Sequence, residues 1–238
     1  MIIKNKLSFF LVIAVVGLIV SLTGFFKTYF IPIAANSFSW PVFIHIHGLF
    51  SFGWIILFLI QTLLIHKNSY RTHQVLGFWG LIVAVGVTVT MVPAGIYAVQ
   101  RELHTGPGDS AYSSLPGVIT SGFMFLILVL AGVIKRFDPE THKRLMLLAT
   151  IVVLWPAWFR FRHLFPSVPR PEIWFALVFA DSLIIIAWIW DRSRNGRIHP
   201  VLKYAGLFII LEQTLELILY DSPSWQQASR WMFDIVTG

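Results

Sequence analysis

An all-α fold, a polytopic integral membrane bundle of seven transmembrane helices, is predicted by three observations. Of the 238 residues 57% are hydrophobic, only 12% are charged, and the charges cluster in short stretches between long apolar runs. So few polar side chains cannot cover a water-soluble body of this size, and the charge content is about half that of an ordinary soluble domain. A mean hydropathy of +0.76 excludes a disordered chain as well.

The spans fall near 7–26, 41–65, 73–99, 117–135, 142–163, 172–190 and 200–220, within one membrane domain covering 1–238. At 1.5 Å per residue, about 20 apolar residues cross a hydrocarbon core of about 30 Å. Lys4 and Lys6 precede the first run, which exceeds the apolar core of a signal peptide and ends without a cleavage site; it reads as an uncleaved helix. The stretch 101–116 is expected as the main outer loop. In the tail, 224–236, Trp225, Ala228, Met232 and Ile235 recur at helical spacing, which predicts a short interfacial helix.

With the N-terminus inside, the cytoplasmic side receives Lys4, Lys6, Lys67, Arg71, Lys135, Arg136, Lys143, Arg144, Arg192, Arg194, Arg197 and Lys203. The other side receives the remaining six of the 18 basic residues, so the chain is read as N-in and, with seven spans, C-out. The net charge of +7 then reports orientation, and no nucleic-acid partner is expected. Trp40, Trp155, Trp158, Trp174 and Trp225 fall near the outer boundary. Small residues at Gly17, Ser21 and Gly24, and at Gly77, Gly80, Ala84 and Thr88, form seams that suit close helix packing within the chain or in a homo-oligomer.

Zero cysteines exclude disulfides, thiolate metal sites and c-type haem attachment. The eight histidines are numerous for so apolar a chain. A short basic turn precedes a histidine at the start of a span three times, at His73, His142 and His199, as in three related hairpins. On the second span His47, Trp54 and Gln61 recur every seven residues on one stripe, and a polar stripe in a membrane helix faces protein or a cavity. Arg160 and His163 lie three apart at the depth of His47, and Arg162 reads as a snorkelling anchor.

Two histidine layers follow, His47 with His163 and His73 with His142. Two bis-histidine b-type haems would need this arrangement, a neutral imidazole from each of two facing helices at similar depth. Asp181, Glu212 and Glu216 are the remaining intramembrane ionisable groups, read as a proton relay, as structural partners of Arg160, His163 or His47, or, for Glu216, as a ligand in a His plus Glu metal site at that face. Glycine-rich phosphate loops, the G-x-S-x-G elbow and the H-E-x-x-H zinc motif are absent, and Lys203 at the edge of the last span does not suit a retinal Schiff base.

The run His47 to Leu63 (H-x6-W-x6-Q-T-L), His73 to Gly77 (H-x-x-L-G), His142 to Met146 (H-K-R-L-M) and His199-Pro200 resembles the pattern of a bacterial multi-pass membrane family. The resemblance covers roughly 40–203 and implies a shared seven-helix fold in the bacterial cytoplasmic membrane, without an activity. A looser similarity links the chain to transmembrane b-type cytochromes and to haem-copper oxidase assembly proteins. The leading expectation is a membrane redox protein, or a subunit of a redox complex, holding haem b. The alternatives are a non-catalytic accessory or assembly subunit and a proton-coupled carrier.

Overall fold

The computed structural model describes residues 8–37, 40–106, 108–220 and 222–238. Lys4 and Lys6, which contribute to the orientation reading, lie outside the described residues. All regular structure among the described residues is helical. The helices are α1 (Phe9–Ala34), α2 (Val42–His66), α3 (Tyr70–Thr105), α4 (Ser114–Ile134), α5 (Pro139–Phe159), α6 (Glu172–Asn195), α7 (Pro200–Leu219) and α8 (Pro223–Thr237). Six of them, α1 to α6, are long and apolar enough to cross a membrane, so the chain has the build of a multi-pass membrane protein. The last long helix, α7, has the length but carries Lys203, Glu212 and Glu216.

Local chemistry sets the ends. Asp138 caps α5 by accepting from the backbone N–H of Glu140 and Thr141, each at 3.2 Å, and Pro139 occupies the first helical position. The hydrogen bonds from Thr141 hold the Asp138 carboxyl below the usual carboxylate range. Helix α6 stops at Gly196, whose φ of 71° is the left-handed conformation that closes a helix. The expected loop over 101–116 is shorter than predicted. With no proline or glycine between Arg101 and Gly106, α3 runs on to Thr105, and Gly108–Ser113 then forms a 3-10 segment.

Helices α2, α3, α4 and α5 pack in sequence and α5 closes back on α2, forming a four-helix square in which α3 and α5 stand on a diagonal. Helix α5 also carries α1, α6 and α7, which explains the unbroken burial of Leu147, Leu148, Ala149, Ile151 and Val152. We call the end where α3, α5 and α7 begin proximal and the opposite end distal. The start of α1 is proximal, with Phe9 stacked on Trp190 of α6 at 4.5 Å. Both π-helical segments, Phe26–Phe30 in α1 and Glu172–Phe179 in α6, lie toward the distal end.

The small-residue seams are used inside the chain. Gly17 faces Leu154, and a Cβ at Gly24 would overlap the Ala157 carbonyl, so α1 lies directly on the α5 backbone. Ala84 is fully buried, and Gly80 admits Leu57 of α2. Mid-bundle, the Trp54 ring meets Phe125 edge-on at 4.8 Å and its indole N–H donates to Thr150 Oγ1 at 3.2 Å. The tail helix α8 docks on the 3-10 segment through Phe233 on Tyr112 and a bond from Trp225 Nε1 to the Ser113 carbonyl at 3.1 Å.

Candidate functional site

His73 opens α3 and His142 opens α5, so each projects from the first turn of one of the two diagonal helices. The fold brings them together: their ring centroids are 6.2 Å apart and their planes are perpendicular. His142 Nδ1 lies 2.8 Å from the Gly132 carbonyl at the end of α4. The Nδ1 tautomer that donates this bond leaves Nε2 as the lone-pair nitrogen, the same orientation that backbone carbonyls impose on metal-ligating histidines. Nδ1 of His73 is buried without a partner, as are both side-chain polar atoms of Gln61. Gln61 packs beside Gly77, one turn along α3 from His73.

His47 and His163 are not brought together in this way. His47 Nδ1 engages Thr90 Oγ1 at 3.0 Å, and Nε2 engages Ser51 Oγ at 3.3 Å, so both ring nitrogens have partners. His163 ends a 3-10 turn, Arg160–His163, at the exposed distal surface, where its carbonyl accepts from Lys27 Nζ at 3.1 Å. Arg160 donates to the Pro156 carbonyl at 2.9 Å and lies over the Phe25 ring at 4.2 Å. It forms no ion pair with a carboxylate among the described residues.

Glu212 and Glu216 of α7 face α4, and Asp181 of α6 lies within electrostatic range of Glu212. Glu216 sits against Gly117 so closely that a Cβ there would overlap its carboxylate, and Thr120 lies beside Glu212. Asp181 is buried with neither oxygen partnered, and Glu212 Oε2 is likewise unpartnered. Among the described residues no three His, Asp or Glu side chains are placed to hold a metal ion.

A proximal polar centre escaped the sequence reading. Arg144 and Asp191, 1% and 0% exposed, pair through two hydrogen bonds between α5 and α6. Asp191 also accepts from Asn195 Nδ2 at 2.6 Å and from the His199 backbone N–H at 2.7 Å, while Arg144 reaches Glu140 Oε2 at 2.6 Å. His199 accepts from the Val201 N–H at 3.3 Å and so caps α7; burial, then the Arg144 charge, holds its pKa below the ordinary histidine value. These groups border an open cleft of about 270 Å³. The sequence signal was Arg144 on the stripe of Leu148 and Ile151, where an orienting surface charge has no place.

The fold and these sites define a polytopic α-helical membrane protein with paired histidines at one end and carboxylates within the bundle. Comparison of the chain with protein-family models, with curated proteins and with solved structures finds no match.

Proposed function

We propose that the protein is a membrane redox protein, or the redox subunit of a membrane complex, that holds one b-type haem between His73 and His142. The observation that carries this reading is the disposition of the two rings. A haem would be held there by one neutral imidazole nitrogen from each ring, offered from the two diagonal helices. His73 and His142 stand 6.2 Å apart. The bond between His142 and Gly132 orients one ligand, and the orphaned Gln61 and His73 atoms are the unfinished polar contacts expected beside a bound group. A haem held there would supply a one-electron couple. The chain itself fixes ring orientation and, through the packed Trp54–Phe125 layer above, excludes water from one side.

This reading takes α7 as the seventh span, N-in and C-out in the bacterial cytoplasmic membrane, with the proximal end cytoplasmic. Supporting it are the basic-residue bias and the antiparallel course of α7, whose Glu216 reaches the distal start of α4. Protein purified from haem-replete cells is expected to show a Soret band that shifts on dithionite reduction. The band is expected to vanish in His73→Ala and His142→Ala and to survive in His47→Ala. Colourless wild-type protein would overturn the proposal.

A second reading, a proton-coupled carrier, is favoured by Asp181, buried with both oxygens unpartnered and within electrostatic range of Glu212. Reconstituted protein would then move protons with a solute, and Glu212→Gln and Glu216→Gln would abolish the movement. Identical behaviour of all three preparations would leave the carboxylates structural. The accessory-subunit reading loses part of its motivation, since the seams are occupied within the chain. Co-purification of a stoichiometric second chain in mild detergent would restore it.

A further inference from the structure

The proximal end of α6 carries, besides the polar cleft at Arg144 and Asp191, an apolar groove of about 460 Å³ lined by Ile185, Trp188, Ile189, Arg192, Ser193 and Ile198. Positions 185, 188, 189, 192 and 193 are one face of a helix on successive turns, so the groove follows α6 from Ile185 to Arg192 for about 10 Å. Its floor is fixed. The Trp188 indole N–H donates to the Leu202 carbonyl at 2.7 Å, and the ring lies against Gly206 of α7, where a Cβ would stand 3.1 Å from the indole nitrogen. Ile185 and Ile189 are exposed, so the groove opens on the outer surface of a helix long and apolar enough to span a membrane.

At the proximal end the groove changes from apolar to cationic. Arg192 lies in the last turns of α6, at the depth where a spanning helix leaves the hydrocarbon. Its Nη1 donates to the Gly196 carbonyl at 2.7 Å, which anchors the guanidinium and leaves four of its five N–H donors for other acceptors. Among the described residues Arg192 forms no ion pair within 4 Å. The neighbouring Asp191 is no counter-ion for it, because that carboxylate is fully buried and held by Arg144, Asn195 and the His199 N–H. Ser193 gives its hydroxyl proton to the Trp190 carbonyl at 2.8 Å, so toward the groove its oxygen can only accept. The dipole of α6 favours a cation at this end, which accounts for an arginine but not for the apolar trough that leads to it.

We propose that this groove binds one anionic phospholipid, with the phosphate on Arg192 and an acyl chain laid along Ile185, Trp188 and Ile189. An anchored guanidinium with free donors at headgroup level, continuous with an apolar trough, is complementary in charge and polarity to such an amphiphile. A helix from a partner protein, about 10 Å across with its side chains, is too thick for a trough of this volume and length. A headgroup that carries a hydroxyl, as in phosphatidylglycerol, also supplies the donor that Ser193 can accept. The inference rests on the membrane-spanning build of α6 and is independent of the haem reading.

Native mass spectrometry of the full chain in neutral detergent, titrated with phosphatidylglycerol or with phosphatidylcholine, tests the proposal. Wild-type protein is expected to retain one phosphatidylglycerol per chain in preference to phosphatidylcholine. Arg192→Gln should weaken that retention by about tenfold or more, the loss of a hydrogen bond to a charged group. Arg136→Gln, which removes an exposed cation at the same end but outside the groove, should leave it unchanged. Ile189→Trp fills the trough at an exposed position without touching the charge, and should weaken retention as well. Equal retention of the two lipids overturns the proposal, as does a loss in Arg192→Gln no larger than in Arg136→Gln. Unchanged retention in Ile189→Trp would place the lipid elsewhere and overturn it too.

Discussion

Breaking the Arg144–Asp191 pair by halves and then removing it whole is the sharpest test of how the proximal end is held. Arg144→Met leaves Asp191 buried, yet two donors, the Asn195 amide and the His199 N–H, still reach its carboxylate. The expected loss is therefore at the lower end of the range for breaking a buried pair, about 3 kcal/mol. Asp191→Leu is worse. It strips the acceptor from Arg144, Asn195 and the His199 N–H together and leaves a 1%-exposed guanidinium with Glu140, whose side chain is 58% exposed. About 4–5 kcal/mol is expected, the upper end of the same range. In the double variant no uncompensated charge remains, and the two losses should fall short of their sum by at least about 2 kcal/mol, as for residues in direct contact. The assay is reversible unfolding in mixed micelles, with Asp191→Asn as the milder control that keeps one acceptor oxygen. Additive losses, within about 0.5 kcal/mol, would refute the claim that the pair acts as a unit.

Three further outcomes are expected. The His199 pKa in the fold lies below its unfolded value, so the unfolded chain takes up the proton first as pH falls. The stability this neutral cap contributes is present above about pH 6.5, the unfolded value, and is lost as pH falls from there through the folded value. His199→Asn, which retains a capping acceptor, should flatten that part of a Tm-against-pH profile. Gly24→Ala drives a methyl into the Ala157 carbonyl, a backbone atom with little freedom to yield, and should cost about 1–3 kcal/mol in the same unfolding assay. Gly117→Ala displaces the Glu216 carboxylate and should be destabilising, with Glu216→Ala in the same chain recovering much of the loss. Recovery would be absent if the two sites do not touch.

What the sequence made legible were the features written in runs and spacings. Apolar stretches between charged turns located the helices, and Asp138-Pro139 and Gly196 marked helix ends because capping chemistry is local. The histidine pairing was legible only at one end. His73 and His142 each sit one turn into a helix that begins at the same end, so depth alone matched them, and the diagonal packing of α3 and α5 supplied the rest. His47 and His163 also matched in depth, but a 3-10 turn after Phe159 rotates His163 to the surface, and Thr90 and Ser51 claim the His47 nitrogens. Periodicity at 100° per residue carries no information about such a turn. Arg144 and Asp191 were missed because they are 47 residues apart and Arg144 was counted among the orienting charges, although its place on the Leu148 and Ile151 stripe marked it as inward-facing.

The two polar ends are separated by a dry layer, which constrains any mechanism. Along α2, Gln61 follows His47 by 14 positions, about 21 Å of helix. That interval is closed by Trp54, Ile55 and Phe58, with Ala84, Val87 and Phe125 packed across from them, all buried. Its polar groups satisfy one another locally. The Trp54 N–H donates to Thr150, and the Thr150 hydroxyl donates to the Met146 carbonyl at 2.9 Å, so neither is left to relay a proton along the bundle axis. Among the described residues no hydrogen bond links Asp181, Glu212 or Glu216 through this layer to His73 or His142. A haem at the proximal pair, were it held as proposed, would have its charge change balanced at the proximal face, where His199 and the Arg144–Asp191 cleft lie. It follows that Trp54→Phe, which removes the bond to Thr150 Oγ1 and shrinks a buried ring, should leave the spectrum of the proposed proximal haem intact while weakening the bundle by about 2–3 kcal/mol, one buried hydrogen bond plus the cavity left behind.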